Sequence, residues 1–403
     1  MTGAKPLLAA APVRLALITT HPIQYQIPWF KRLARIPGID LRVFFGMLPD
    51  AEQQGVDFGV AFQWDIPLLE GFSWTVLRNV AKAPSLGTFK GISTPQIGQV
   101  LRAWKPDVAI AAGWQSHMLV QTLWACRRLR IPLLVRGDSN ALAPRPWWKR
   151  MLHRLWLKQY SFFLAVGKAN RRFYLQAGID PKKIFHCPHF VDNEWLGTMA
   201  RAWRQDRDML RQQWGISATA ICLLYVGKLV AKKRIMDLLE ALDKAARRDP
   251  RLHLLIVGAG QLEAQAREFS TTRHLPASFA GFLNQTEIAK AYVVADCLVL
   301  PSDFGETWGL VVNEAMACGL PAIVSDRVGC GPDLVEEGNT GALFPFGDVD
   351  ALASTLGALT SEAEHLRGMG RNAQERVLRD YSIEKAVEGT VAAINAALPV
   401  RRN

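Results

Sequence analysis

Two glutamates, Glu306 and Glu314, stand in the segment PSDFGETWGLVVNEAMACGLPAIVSD (301–326). Glu306 follows an apolar run that ends at Ser302, and Glu314 falls in a helical pattern starting near Trp308 or Gly309. At about 1.5 Å rise per residue, Glu314 lies about two turns in, roughly 10 Å from Glu306. Carboxylates so spaced accept hydroxyl protons at two distant points of one ligand. Between them the N–H groups of Thr307, Trp308, Gly309 and Leu310 form a helix N-terminus, which suits a phosphate. Gly309 lets a ligand come close. Carboxylate, anion site, carboxylate is the order of sugar, diphosphate and ribose. The plainer alternative is that both glutamates are solvated helix-end acids.

A second cluster is YVGKLVAKKR (225–234), where an apolar run ends at Gly227 and Lys228 and Lys233 follow. Compact ammonium groups there would offset charge developing on a departing diphosphate. Nearer the start, THPIQYQIPWF (20–30) places His21 and Gln24 after a strand, GWQSHM places His117 after another, and RGDSN (136–140) places Asp138 after a third. These four are the acceptor-side candidates, each also readable as a turn residue. HCPHFVDN (186–193) holds His186, Cys187 and His189, but no second ligand pair stands nearby, so no metal site is expected.

Residues after strands need a sheet to position them. VRLALITT (13–20), IDLRVFF (39–45), DVAIAAG (107–113), IPLLVRG (131–137) and FFLAVG (162–167) read as strands separated by helical patterns. Residues 195–215 are polar and read as a linker or peripheral helix. The alternation restarts with ICLLYVG (221–227), LHLLIVG (252–258), DCLVLPS (296–302) and LPAIVSD (320–326). The expectation is an α/β chain of two doubly wound units in series, with ligands beyond the carboxyl ends of the strands.

The segment 301–326 resembles the family-4 glycosyltransferases, retaining enzymes of the GT-B fold. Glu306 and Glu314 match that family's E-x7-E motif, and VGCGPDLVEEGNTGALFPFGDVDALA (328–353) continues in register. The resemblance implies two Rossmann-like domains facing each other across a cleft. It assigns 1–194 to the acceptor side, 195–381 to the donor side, and a final helix of about 382–403 that packs back on the first domain. It also implies that Glu306 contacts donor-sugar hydroxyls and Glu314 the ribose. Gly258, in VGAGQLEAQ (257–265), would lie beside the donor, and AGFLN (280–284), with Phe282, on the base. The family usually has Arg, Lys, then Gly where this chain has Lys228, Lys233 and Arg234. It often has a His where this chain has Gly137. The stretch 186–193 resembles the family's hinge strand, ending at Asp192. No cofactor and no metal are implied, only a nucleotide diphosphate sugar and a hydroxyl acceptor, carbohydrate or lipid-linked.

The chain has 403 residues and a formal charge of +12. Residues 1–200 carry 25 Lys+Arg against 11 Asp+Glu, and 12 of the 13 tryptophans precede residue 215, so the excess lies in the first half. RPWWKRMLHRLWLKQY (145–160) is its main positive element. Trp147, Trp148, Met151, Leu152, Leu155 and Gln159 share one helical face, and Lys149, Arg150 and Arg154 lie mostly off it. That suits an anionic membrane surface, or else an amphipathic helix packed on its sheet. No nucleic-acid module is present. Six scattered cysteines fit a cytoplasmic protein, and the apolar stretch Leu7–Thr20, broken by Pro12 and Arg14, does not read as a signal peptide. The expected location is cytoplasmic, at the inner face of the plasma membrane if the helix binds lipid. The expected activity is sugar transfer with retention, in exopolysaccharide, lipopolysaccharide or glycolipid assembly. The alternatives are another GT-B enzyme such as a nucleotide-sugar epimerase, a catalytically degraded nucleotide-sugar binder, or a peripheral membrane-binding protein.

Overall fold

The computed structural model describes residues 12–56, 59–360 and 362–398, so Leu7–Ala11 of the early apolar stretch lie outside the described residues. The chain forms two compact units. One comprises the residues up to Gln53, Pro67–His189 and the stretch from Ile383; the other comprises Gln54–Ile66 and Phe190–Ser382.

The first unit holds a seven-stranded parallel sheet. Its strands are β1 (Val13–Thr19), β2 (Ile39–Phe45), β3 (Ser73–Val76), β4 (Val108–Ala111), β5 (Leu133–Val135), β6 (Phe162–Ala165) and β7 (Ile184–His186). They run in the order β3-β2-β1-β4-β5-β6-β7. β1 and β4 are almost wholly buried because helices cover both faces, which is why they read as largely apolar runs, interrupted in β1 by the half-buried Arg14. The helix Ile383–Ala397 packs within this unit: Gly389 meets the main chain of His186 so closely that a Cβ would lie 1.6 Å from its carbonyl oxygen.

The second unit holds six parallel strands, β8 (Ile221–Val226), β9 (Leu252–Val257), β10 (Ala277–Gly281), β11 (Cys297–Leu300), β12 (Ala322–Ser325) and β13 (Gly341–Phe344). Their order is β10-β9-β8-β11-β12-β13. Each sheet is thus wound outward in both directions from a first strand. The reversal falls between β1 and β4 in one unit and between β8 and β11 in the other. Crevices open at such points.

The strands that the hydrophobic pattern passes over are β3, β7, β10 and β13, and all four are sheet edges. β3 is mostly exposed and β10 only half-buried, so neither shows an apolar run. The stretch expected as a hinge strand is corrected too. The strand ends at His186, and Asp192 instead caps the helix Asn193–Trp203, accepting from the Trp195 N–H at 3.0 Å. The 195–215 region is two helices, Asn193–Trp203 and Arg207–Gln213, joined by a 3-10 turn.

Two features give testable stability effects. Gly258 has φ +132°, and a Cβ there would sit 2.0 Å from the Gly227 carbonyl oxygen. Gly258→Ala should therefore destabilise by roughly 3 kcal/mol or more, read as a lowered thermal midpoint. His21 is held neutral because burial pushes its pKa down to about 4. Its folded value lies below its unfolded one, so its stabilising contribution is present above pH 6.5 and lost as pH falls toward 4. That loss is at most about 3 kcal/mol. The thermal midpoint should drop across this window, and His21→Asn should flatten the drop; an unchanged slope would refute the assignment.

Candidate active site

The second unit's carboxyl-end loops hold most of the candidate residues. The loop after β8 is built on main chain packed against main chain. The Gly227 N–H donates to the Val257 carbonyl at 3.0 Å, Leu229 N–H to Ala259 at 2.8 Å, and Gly258 N–H to Gly281 at 2.8 Å. Gly260 presses on Leu229, where a Cβ would meet the carbonyl oxygen at 2.7 Å. Lys228 leaves this scaffold half-buried, and its carbonyl accepts from the buried Tyr225 hydroxyl at 3.0 Å. A 3-10 turn, Ala231–Lys233, then aims Lys233 inward.

The loop after β11 meets it. The Asp303 N–H donates to the Lys232 carbonyl at 2.9 Å, and the Gly329 and Cys330 N–H groups hold the carbonyls of Glu306 and Trp308 at 3.0 and 2.9 Å. This pinning sets Glu306 against Lys233, and the ammonium donates to the Glu306 Oε2. Side chains in the pair are only 11% and 15% exposed, so each charge depends on the other. Ser302, at the end of β11, is fully buried with an unpartnered Oγ.

The helix after this loop is Leu310–Ala317, later than expected. Thr307 and Trp308 stand in the preceding turn, and Gly309 is the left-handed cap with φ +102°. Leu310 is the first helical residue. Glu314 is the fifth residue of the helix rather than two turns in. It is buried, and its Oε2 accepts from the Tyr292 hydroxyl. Trp308 is also buried, its indole N–H donating to Asn313 Oδ1 at 2.8 Å.

Phe282, beyond β10, packs on Phe62 with ring centroids 4.5 Å apart. Phe62 belongs to the segment Gln54–Ile66, which the chain contributes to this unit from before β3. That segment is fastened by the Asn284 amide on the Gln63 carbonyl at 2.7 Å and by Thr286 on Asp65. Sequence reasoning missed it because nothing in its composition marks a partner more than 200 residues away.

In the first unit the four acceptor-side candidates separate. His21 Nδ1 bonds the Thr20 hydroxyl at 3.0 Å. Gln24 is half-buried in the following turn. His117 begins the helix His117–Leu129, its N–H donating to the Phe89 carbonyl at 2.9 Å. Asp138 alone lines a cavity of about 190 Å³ at the ends of β1, β4 and β5. His186, Cys187 and His189 do not form a metal cluster; Cys187 Sγ is 3.6 Å from Thr390 Oγ1 and 3.4 Å from Arg136 Nε. Among the described residues no group of three or more His, Cys, Asp or Glu side chains is placed to hold a metal.

The helix Trp147–Leu157 presents its apolar residues outward. Trp147 is 77% exposed, Leu152 57% and Leu155 56%, while of the whole helix only Leu157 is buried. Among the described residues no helix is long and apolar enough to cross a membrane.

Residues 206–376 match the family model described as Glycosyl transferases group 1. The chain is 30% identical over 185 residues to N-acetyl-alpha-D-glucosaminyl L-malate synthase of Bacillus anthracis, covering 46% of this chain and 48% of that protein. It therefore spans about half the length of that relative. It is 32% identical over 368 residues to D-inositol 3-phosphate glycosyltransferase of Geodermatophilus obscurus, covering 82% of this chain and 78% of that one. Its fold superposes on the Anabaena protein HepE, solved in complex with UDP-glucose, with TM-score 0.71 at 19% identity over 94% of this chain and 98% of the other. With two parallel sheets each wound from a central first strand, the chain belongs to the group 1 glycosyltransferases of family-4 type and has the GT-B fold.

Proposed function

We propose that the protein transfers a sugar from a nucleoside diphosphate sugar to a hydroxyl of a carbohydrate or lipid-linked acceptor, with retention at the anomeric carbon. The observation that carries this reading is the Lys233–Glu306 pair at the switch point of the second sheet, beside Lys228 and the glycine-lined loop. A diphosphate fits the lysines, and a sugar hydroxyl fits the carboxylate. The complex of HepE with UDP-glucose is in keeping with such a donor.

On this reading Lys228 and Lys233 offset the charge that builds on the diphosphate as its bond to the anomeric carbon breaks. Glu306 orients the donor sugar and Glu314 the ribose, with Gly227, Gly258, Thr307, Trp308, Gly309 and Leu310 shaping the phosphate site and Phe282 the base site. The acceptor oxygen forms its bond to the anomeric carbon on the face the diphosphate leaves, and its proton passes to a departing phosphate oxygen. Charge stabilisation then comes from side chains and main-chain amides, with no metal required. Glu306→Gln, Glu314→Gln and Lys233→Ala should each lower the rate of transfer about a hundredfold or more. Transfer at near the wild-type rate in all three, measured with a radiolabelled nucleotide sugar, would reject the site.

The helix Trp147–Leu157 supports peripheral binding to an anionic membrane, on the cytoplasmic side. Its outward tryptophans and leucines would enter the headgroup region while Lys149, Arg150 and Arg154 meet lipid phosphates. Replacing those three cations by Ala should reduce co-sedimentation with phosphatidylglycerol vesicles about tenfold or more, at roughly 1 kcal/mol per cation. The wild-type binding should weaken in salt, and binding indifferent to anionic lipid would dismiss the idea.

A further inference from the structure

The end of the second sheet away from its carboxyl-end loops holds a cavity of about 600 Å³, wholly within that unit. Its walls come from the places where strands begin. Ile221 opens β8, Arg251 precedes β9, Asp296 precedes β11 and Leu320 precedes β12. The length of β8, at about 3.3 Å per residue, puts the cavity roughly 20 Å from Lys228.

The walls are basic. Among the described residues, five arginines line the cavity against one carboxylate, Asp296. Arg204, Arg207 and Arg211 stand three and four residues apart on successive helical turns, which sets them on one stripe. Two of the three hold the fold together. The buried Arg211 donates to the carbonyls of Val294 and Ala220 at 3.0 Å each and to Asp296 Oδ2 at 2.7 Å. Arg207 donates to the Val293 carbonyl at 2.9 Å and to Asp296 Oδ1 at 2.7 Å. Both oxygens of the lining carboxylate are thus taken.

Arg204 differs. It lies one turn earlier on the same stripe and is exposed, and its guanidinium has no hydrogen-bond or ion-pair partner among the described residues. Its Nη2 stands beside Gly319, 3.8 Å from where a Cβ would lie. Arg204 ties down no part of the fold, which leaves it for a ligand. Arg251 and Arg367 are exposed too, paired with Asp249 at 2.7 Å and Glu364 at 3.4 Å, carboxylates outside the lining. Such surface pairs are weak and yield to a stronger partner.

Five guanidinium groups against these three carboxylates leave two positive charges. A phosphate monoester near neutral pH carries about −1.5 to −2, which matches them. Guanidinium forks also fit phosphate oxygens two at a time. A neutral sugar would leave the charge unmet. The volume leaves room for a small organic group beyond the phosphate.

We propose that this cavity binds a phosphate monoester, gripped by Arg204 together with Arg251 and Arg367, at a site separate from that of the donor. The floor includes Tyr292, whose hydroxyl donates to Glu314, and Cys318, which ends the helix that carries Glu314. On the transferase reading Glu314 meets the donor ribose, so the phosphate ester is an effector and its binding is linked to that of the donor. The site itself does not rest on that reading.

Isothermal titration calorimetry on the wild-type protein tests it, with glycerol 3-phosphate and glucose 6-phosphate as probes, glycerol and glucose as neutral parents, and succinate as the carboxylate control. At least one ester should bind about tenfold or more tightly than its parent and than succinate. Arg204→Ala should weaken that ester about tenfold and Arg367→Ala about threefold. Arg204 is exposed and unpaired, so its replacement leaves the fold intact. The proposal is overturned if neither ester binds, if a parent or succinate binds as tightly, or if Arg204→Ala leaves affinity unchanged. A saturating ester should change the affinity for UDP about fivefold or more. An unchanged UDP affinity would reject the effector role, and an absence of UDP binding would reject the transferase reading. Neither result removes a site whose ester binding depends on Arg204.

Discussion

The site depends on main chain lying against main chain at the ends of β8 and β9. Gly258 rests on the Gly227 carbonyl and Gly260 on Leu229, at distances no side chain permits. This closeness costs the entropy of three ordered glycines. In return the loop that carries Lys228 and Lys233 is tied to β9 by hydrogen bonds from Gly227 and Leu229 and does not depend on its own side chains for shape. On the transferase reading, the lysines are thereby left to meet a ligand. The same logic continues at the loop after β11, where carbonyls of Glu306 and Trp308 are held from Gly329 and Cys330. Two loops fixed by backbone bring a cation and an anion together.

The central strands were legible because they are buried on both faces and read as plain apolar runs. The edge strands were not. β3, SWTV, faces solvent along most of its length, and β10, ASFAG, has small residues and only partial burial. Such segments are strands because a neighbour offers a hydrogen-bonding edge, which is a tertiary fact. The family membership was legible for a different reason: the spacing of Glu306 and Glu314 and their flanking glycines are local and match a family. Burial of Glu314 under the Tyr292 hydroxyl was not, since Tyr292 comes from another helix.

The departures from the family pattern become intelligible in space. Where relatives carry glycine after the second cation, Arg234 sits in the left-handed region at φ +55°. This geometry explains the glycine, and its cost of about 1–2 kcal/mol is partly offset here by the Arg234 bond to Asp237 at 2.8 Å and by its guanidinium lying 5.6 Å from the centroid of the Phe346 ring. Where relatives often carry histidine, Gly137 makes room for Trp114. One departure is tolerated by local bonds, and the other places an aromatic ring where a side chain at 137 would stand. The charge of the first half likewise acquires a place, since the helix Trp147–Leu157 keeps Lys149, Arg150 and Arg154, with Trp147 and Trp148, in solvent.

The pairing of Lys233 with Glu306 bears on why a lysine stands there. Both side chains are largely withdrawn from water, so either alone would be a costly buried charge. Paired, each offsets the other's charge before any ligand arrives. A diphosphate brings negative charge that competes with Glu306 for the ammonium, while sugar hydroxyls supply the donors that Glu306 would otherwise lose. An ammonium is compact and has three donors that rotate freely, so it can serve a carboxylate and a phosphate together. A guanidinium locked in a two-bond fork, such as Arg247 forms on Asp243, would have to break one partner to take the other. On the transferase reading, the lysine lets binding proceed by sharing, so neither charge is stranded at any stage of donor entry.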